Sequence, residues 1–376
     1  MSEKEKKQRT VRLPNVFEAL LPIVVMLGLM LYHFMAGTSY GDAHMPLLVS
    51  IVVACIIGCI CGHSFSDMMA GMLDCLNRTM EAILILCTVG ILVASFIMSG
   101  TIPALIYYGL DLLTPKLFLP VGCILCAVVG LACGSSWTTT ATIGIAFMGI
   151  GAGLGMPVAL TAGMIISGAY VGDKFSPLSD TTNLAAAVSE TGLFDHVTAM
   201  VSTTAPTFVI ALVLYTIIGF GYSTTGYDNT VALELQQALA GGYNLNPVLL
   251  LPIVVVVVVC VLKLPALPGL AISVGCGVLF GAVFQGITNV SDIFNILHYG
   301  TTFESSNELA NNLLSRGGMD HQMWTINLIL LAVAYGGALE RCGCVETLFS
   351  GIKSKIHNVG GLVVLTLVTS LFCDAT

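Results

Sequence analysis

The chain has 376 residues, of which 56% are hydrophobic and only 9% are charged, and its mean hydropathy is +0.94. Soluble domains carry roughly a quarter charged residues, so this composition excludes an ordinary soluble globular protein. Repeated apolar stretches of about 17 to 25 residues instead predict an all-α polytopic membrane protein. The net charge is −8, and the sequence has no basic patch that would indicate nucleic-acid binding.

The chain begins with a basic polar tail, residues 1–15, which contains Lys4, Lys6, Lys7, Arg9 and Arg12. Residues 16–376 are predicted to form one membrane transport domain. Its predicted spans are 16–35, 46–62, 82–99, 117–133, 137–155, 157–171, 197–220, 247–262, 267–285, 323–339 and 360–376. Residues 101–114 are too short to cross a bilayer and are predicted to be re-entrant or interfacial. The prediction is therefore about eleven transmembrane helices with re-entrant or discontinuous segments.

The basic residues predict the orientation in the membrane, because cytoplasmic loops carry an excess of Lys and Arg. When the N-terminus is placed in the cytoplasm and the spans alternate, 11 of the 13 Lys and Arg residues lie inside. Only Lys116 and Arg316 then lie outside. We therefore predict a cytoplasmic N-terminus.

The thirteen cysteines lie mostly within apolar stretches. Cys123 and Cys126 have the spacing of a redox or metal-binding pair. No His, Lys or Arg lies nearby in the sequence to stabilise a thiolate. We interpret these cysteines as small apolar packing residues.

A polar segment, residues 172–183, separates two long apolar stretches. It contains Asp173, Lys174 and Asp180 together with the oxygen-bearing side chains of Ser176, Ser179, Thr181, Thr182 and Asn183. Pro177 has no N–H and disfavours helix at the residue before it, so we predict a broken backbone here. Transporters place ion sites at broken helices lined with oxygen atoms. Carboxylate, hydroxyl and amide oxygens suit a hard cation such as Na⁺.

A second polar segment, residues 134–142, lies between two apolar stretches and contains Ser135, Ser136, Thr138 and Thr139. Hydroxyls in membrane helices often bond back to the preceding turn and pack against neighbours. That interpretation is favoured for Thr142 and Thr161. For residues 135–140 a lining that supports the ion site is favoured, because a glycine precedes them.

The sequence Gly-Asp-Lys-Phe-Ser-Pro-Leu-Ser-Asp-Thr-Thr-Asn-Leu-Ala, residues 172–185, resembles the signature of the NhaC family of Na⁺/H⁺ antiporters. That family also includes Na⁺-lactate/malate-H⁺ antiporters. The upstream Gly-Ser-Ser-Trp-Thr-Thr, residues 134–139, is similar to the family as well. The resemblance implies a secondary transporter of the bacterial cytoplasmic membrane with an inverted-repeat fold. It implies Na⁺ and H⁺ as transported ions and no cofactor. Family members continue with further spans, so we expect the chain to be truncated at its C-terminal end.

Asp173 and Asp180 are the candidate coupling residues. A carboxylate removed from water favours its neutral form, so it holds either a proton or Na⁺, and this competition couples the two flows. Lys174 is expected to neutralise one aspartate when the ion is absent. In the alternative interpretation, Asp173 and Lys174 form a loop pair, and Asp180 caps a helix that begins at Thr181.

Asp374 is a further candidate, because an ionisable residue within an apolar span is often functional. Three other functions stay open. A carrier of lactate or malate would use the same Na⁺ site and bind the carboxylate at helix N-termini. An intramembrane hydrolase would use Ser135 or Ser136 but lacks a well-placed His, and a channel would need a repeated filter that is not evident. A homodimer is also left open.

Overall fold

The computed structural model describes residues 11–36, 43–177, 179–223, 230–262, 264–353, 360–361, 363–364 and 366–367. All regular secondary structure in these residues is helical. The α-helices are α1 (Val16–Met35), α2 (His44–Ile60), α3 (Phe65–Met98), α4 (Thr101–Leu112), α5 (Pro115–Cys133), α6 (Ser136–Thr139), α7 (Ile145–Gly153), α8 (Val158–Phe175), α9 (Asp180–Val188), α10 (Leu193–Ser223), α11 (Thr230–Gly242), α12 (Leu251–Val261), α13 (Ala266–Phe284), α14 (Val290–Tyr299), α15 (Glu308–Leu314), α16 (Met323–Arg341) and α17 (Cys344–Lys353). A π-helix, Thr140–Gly144, joins α6 to α7.

Six of the described helices are long and apolar enough to cross a membrane, namely α1, α3, α5, α10, α13 and α16. A seventh span results if α11 and α12 are counted together, although the chain bends by 100° between them. The helix α2 is apolar but shorter, at 17 residues. These helices confirm a polytopic helical membrane protein. The last predicted span, residues 360–376, lies mostly outside the described residues.

The short helix α4 corresponds to the segment that was predicted to be re-entrant or interfacial. Gly100, with a φ of 83°, separates it from α3. Its 12 residues give a length of about 18 Å, which is less than the hydrocarbon thickness of about 30 Å. The helix is therefore too short to cross the bilayer, as expected.

One compact unit comprises residues 1–83 and 323–376. Within it, α2 packs against α1 and α16, and α17 packs against α1 and α16. Its core includes Ala54, Cys61, Met68 and Ala338. Asn15 begins α1 with a capping box, in which its side chain accepts a hydrogen bond from the Glu18 N–H and Glu18 accepts one from the Asn15 N–H.

The second compact unit comprises residues 84–322. Its central pair is α5 and α8, and α10 packs against both. Its buried core includes Phe96, Phe118 and Met164. Cys123 and Cys126 are buried free cysteines in this core, which agrees with their interpretation as packing residues.

Candidate functional site

The backbone between α8 and α9 is broken, as Pro177 predicted. The helix α8 ends at Phe175, and Ser176 adopts an extended conformation with φ −81° and ψ 124°. The Ser176 N–H donates to the Asp173 carbonyl at 3.0 Å. Helix resumes at Asp180, and Ser176, Pro177 and Ser179 lie outside both helices, at what we call the break.

Asp173 lies in the last turn of α8 and is only 7% exposed. Its Oδ1 atom is buried and has no hydrogen-bond partner among the described residues. Burying an ionised carboxylate without a partner is costly.

Ser179 begins α9. Its Oγ accepts a hydrogen bond from the Thr182 N–H at 3.3 Å and lies 2.9 Å from Thr181 Oγ1. This is the geometry of an N-cap residue bonded to the third residue of the helix. Ser179 therefore takes the capping role that the alternative interpretation gave to Asp180. The structure describes only the backbone of Asp180, in the first turn of α9.

Thr182 and Asn183 tie α9 to the break. The Thr182 hydroxyl donates to the Lys174 carbonyl at 3.3 Å. The Asn183 side-chain NH₂ donates to the carbonyls of Pro177 at 3.0 Å and Ser179 at 2.8 Å. Because carbonyls only accept, these two bonds identify Nδ2 and leave Oδ1 as an acceptor. The side chains thus stabilise the break by giving their hydrogens to its backbone.

Lys174 lies between the buried Asp173 and the break, but its own side chain is exposed. Among the described side chains, no ion pair involves it. In this conformation it does not neutralise Asp173. Its expected role as a counter-ion thus gains no support from the described residues.

The end of α9 is also unusual. The Thr191 N–H bonds to the Ala186 carbonyl at 3.1 Å, which is the longer bond of a Schellman motif. Glu190 occupies the left-handed position of this motif, with φ 52°. It is the one non-glycine residue with positive φ in the described part of the chain. Glycine is the usual residue there.

The second polar segment follows α5, which ends at Gly134 with φ 62°. Ser135 caps α6, because its Oγ accepts from the Thr138 N–H at 3.3 Å and lies 3.2 Å from Thr138 Oγ1. Ser136, Thr138 and Thr139 are buried. The chain then passes through the π-helix, a feature often found at functional sites.

Threonine hydroxyls bond back to five successive carbonyls in this segment. Thr139 donates to Ser135 at 2.9 Å, and Thr140 donates to Ser136 at 2.8 Å and Trp137 at 3.0 Å. Thr142 donates to Thr138 at 2.7 Å and lies 3.4 Å from the Thr139 carbonyl. The back-bonding interpretation of Thr142 is confirmed. Thr161 packs against Gly151, but its buried hydroxyl has no partner among the described residues.

Both polar segments adjoin α8. The helix α6 and the π-helix contact α8, and α8 carries Asp173 in its last turn. A cavity of about 360 Å³ lies between them, and its lining includes Ser136, Thr140 and Tyr170. The structure therefore places the predicted supporting segment beside the helix that leads into the break.

Sequence reasoning missed the close contact of α8 with α5 at this point. A Cβ atom on Gly172 would collide with the Ala127 carbonyl and lie 2.6 Å from the Leu131 nitrogen. A Cβ atom on Gly130 would lie 2.7 Å from the Ala169 carbonyl and 3.4 Å from the Asp173 nitrogen. Gly168 and Gly172 are four residues apart, the spacing of close helix packing in membranes, and this signal was available in the sequence. Asp374 lies outside the described residues.

These features define a polytopic helical membrane protein in which the helix that leads into a backbone break carries Asp173, whose buried Oδ1 has no hydrogen-bond partner among the described residues. A family model described as the Na⁺/H⁺ antiporter family matches residues 168–376. The chain belongs to this family.

Three relatives cover most of the chain. A malate-2H⁺/Na⁺-lactate antiporter of Bacillus subtilis is 34% identical over 97% of this chain and 78% of the relative. The Na⁺/H⁺ antiporter NhaC of Alkalihalophilus pseudofirmus is 36% identical over 88% of this chain and 71% of the relative. An arginine/ornithine antiporter of Halobacterium salinarum is 38% identical over 96% and 75%. No solved structure gives a significant match.

Proposed function

We propose that this protein exchanges Na⁺ for H⁺ by competition at a carboxylate site in the α8–α9 break. The observation that supports this most directly is the buried Oδ1 of Asp173, which has no described partner. A carboxyl group in this environment binds a proton or a small cation, and it does not bind both at once. Relatives named as Na⁺/H⁺ antiporters support the exchange of these two ions.

The proposed ligand set is the oxygen atoms of the break and of the first turn of α9. Its members are Asp173, Ser176, Ser179, Asp180, Thr181, Thr182 and Asn183. Ser135, Ser136, Thr138 and Thr139 support the site from the neighbouring segment. Thr139 Oγ1 and Asn183 Nδ2 donate hydrogen bonds to carbonyls. The lone pairs of Thr139 Oγ1 and Asn183 Oδ1 therefore remain for a cation.

The proposed architecture places the transporter in the bacterial cytoplasmic membrane with its N-terminus inside. It has about eleven spans in two inverted repeats, after a cytoplasmic tail at residues 1–15. The positions of the basic residues support the orientation. The bend of 100° between α11 and α12 supports a further discontinuous span. A homodimer is compatible with this arrangement.

Membrane vesicles with an imposed pH gradient test the site. Adding Na⁺ is expected to discharge the gradient in the unaltered protein. Asp180→Asn, at the acidic residue embedded among the hydroxyls, is expected to abolish exchange in both directions, and so is Asp173→Asn. Asp195→Asn is a matched control, because Asp195 is exposed in the first turn of α10. If both site variants exchange as well as the control, the carboxylate mechanism is wrong.

A second candidate is the exchange of a small carboxylate together with Na⁺ and H⁺. It is favoured by the relative named as a malate-2H⁺/Na⁺-lactate antiporter. The two candidate functions differ in the solutes that transport in vesicles requires. Simple cation exchange proceeds without an organic anion. A strict requirement for malate or lactate would identify the second candidate.

A further inference from the structure

A pair of thiols lies at the junction of α16 and α17, in the compact unit formed by residues 1–83 and 323–376. Cys342 follows α16, and Cys344 is the first residue of α17. Gly343 between them has φ 78°, which turns the chain sharply. Both cysteines are fully buried, and their Sγ atoms are 3.0 Å apart.

The two thiols are not equivalent. Their mutual hydrogen bond lowers the pKa of Cys342 to about 7, although burial opposes this shift. The same bond raises the pKa of Cys344, which therefore keeps its proton. Cys342 is thus the better nucleophile at neutral pH, since the thiolate is the reactive form. Cys344 is a protonated thiol within reach of it.

Residues 13–14 pack against the turn that carries the two thiols. A Cβ atom on Gly343 would be 2.7 Å from Leu13 Cδ2, and the Thr347 hydroxyl donates to the Pro14 carbonyl at 3.0 Å. The covering segment is therefore residues 13–14, and Leu13 is itself 53% exposed. Reaction with an oxidant therefore requires a local opening at this turn.

Two-electron oxidation fits the pair better than metal binding. In the described part of the chain, no cluster of three or more His, Cys, Asp or Glu residues is arranged to hold a metal ion. A disulfide needs an S–S distance of about 2.05 Å, so the sulfur atoms have to approach by only about 1 Å. The flexible glycine between them allows this small movement.

We propose that Cys342 and Cys344 are a modification site at which a hydroperoxide forms a reversible disulfide. The Cys342 thiolate attacks the hydroxyl oxygen of the peroxide, the O–O bond breaks, and the sulfur becomes a sulfenic acid. The other oxygen leaves as hydroxide or alkoxide and takes a proton from solvent, which replaces the proton that Cys342 released, to form water or alcohol. The Cys344 sulfur then attacks the sulfenic acid, and the sulfenic hydroxyl leaves with the Cys344 hydrogen as water. Two thiols are oxidised to one disulfide, and the peroxide is reduced.

The experiment uses the full chain in membranes. It is treated with hydrogen peroxide, denatured and alkylated with N-ethylmaleimide, and its peptides are analysed by mass spectrometry. The number of alkylated thiols is expected to fall by two, and the peptide that contains residues 342–344 is expected to lose two hydrogens. Dithiothreitol added before alkylation is expected to restore both sites.

Two variants sharpen the result. Cys342→Ser is expected to abolish the peroxide-dependent loss of labelling at Cys344. Cys123→Ser is the matched control, because it removes one member of another closely spaced buried pair, Cys123 and Cys126, and is expected to leave the effect unchanged. Full alkylation of Cys342 and Cys344 after peroxide would overturn the proposal. So would a disulfide to a different cysteine, or irreversible oxidation that dithiothreitol does not restore. None of these outcomes depends on which ions the protein transports.

Discussion

Ser179 fixes where α9 begins, by accepting a hydrogen bond from the Thr182 N–H. Ser179→Ala removes this acceptor and leaves a buried donor without its partner. Loss of an N-cap costs about 0.5–2 kcal/mol, so we expect a lower thermal unfolding midpoint in detergent. Ser179→Thr keeps a hydroxyl acceptor and serves as the control. Equal midpoints for the two variants would show that this cap does not stabilise the helix.

Lys174 tests the counter-ion hypothesis at the same site. Because its side chain is exposed and joins no ion pair among the described residues, Lys174→Ala is expected to leave the Na⁺ affinity nearly unchanged. Exposed pairs contribute only about 0–1 kcal/mol. Sodium titrations of transport at two pH values measure this. A clear rise in affinity would instead show that the lysine competes with Na⁺ for an aspartate.

Single residues explain what the sequence could and could not predict about the site. Pro177 predicted the break correctly, because its ring excludes helix at the residue before it. The choice of cap was not predictable, since Ser and Asp are both good N-cap residues and lie next to each other here. The thiol pair was missed because the approach of Cys342 Sγ to within 3.0 Å of Cys344 Sγ depends on the turn at Gly343, which exists only in three dimensions.

At the level of helices, the close packing of α5 and α8 positions Asp173. Gly172→Ala would drive a methyl group into the backbone of α5 at Ala127 and Leu131. Backbone atoms cannot move aside as a flexible side chain does, so the two helices have to separate. Such overpacking typically costs about 1–3 kcal/mol. We expect a lower thermal midpoint and weaker Na⁺-driven exchange.

The matched control lies on the same helix. A Cβ atom on Gly163 would meet only the Tyr215 hydroxyl, at 3.7 Å. Gly163→Ala is therefore expected to leave the thermal midpoint and the exchange rate close to those of the unaltered protein. Similar losses for both variants would mean that alanine is harmful anywhere in α8, and the specific role of the α5 contact would be disproved.

The sequence predicted where helices form, but it did not predict which helices pack against each other. The apolar length of the sequence indicated α1, α5 and α13 with nearly correct ends. The pairing of α5 with α8 depends on which small residues meet across the interface, and hydropathy does not contain this information. The π-helix at residues 140–144 was likewise not predicted, because it depends on where the threonine hydroxyls find acceptors.

At the scale of the whole molecule, the proposed orientation makes Lys116 external and Lys174 cytoplasmic. Both side chains are exposed, so they form a matched pair for an amine reagent that cannot cross membranes. In intact cells we expect Lys116 to be labelled and Lys174 to be protected, with both labelled after permeabilisation. The reverse pattern would show that the orientation in the membrane is opposite to the proposed one. Labelling of both in intact cells would mean that the spans between them are miscounted.

The division into two compact units, one of residues 84–322 and the other of the two flanking parts of the chain, was not evident from the sequence. Hydropathy predicts how many segments enter the membrane, but it does not predict which of them pack together. Six helices in the described residues are long and apolar enough to cross a membrane, and the count of about eleven stays a prediction. The five predicted spans that are not among these six are 46–62 (α2), 137–155 (α6, the π-helix and α7), 157–171 (α8), 247–262 (α12) and 360–376, which lies mostly outside the described residues.

The backbone at Glu190 is strained, and removing this strain is expected to increase the stability of the protein. Its left-handed backbone, with φ 52°, costs a residue that bears a Cβ atom about 1–2 kcal/mol, whereas glycine adopts it freely. Glu190→Gly is therefore expected to raise the thermal unfolding midpoint, and Glu190→Ala, which keeps the Cβ atom, is the control. An unchanged or lower midpoint for the glycine variant would show that local interactions of the Glu190 carboxylate offset the backbone strain. Glu190 lies just after the end of α9, and the first turn of this short helix carries proposed ion ligands. A more stable variant can therefore be made without altering any of these ligands.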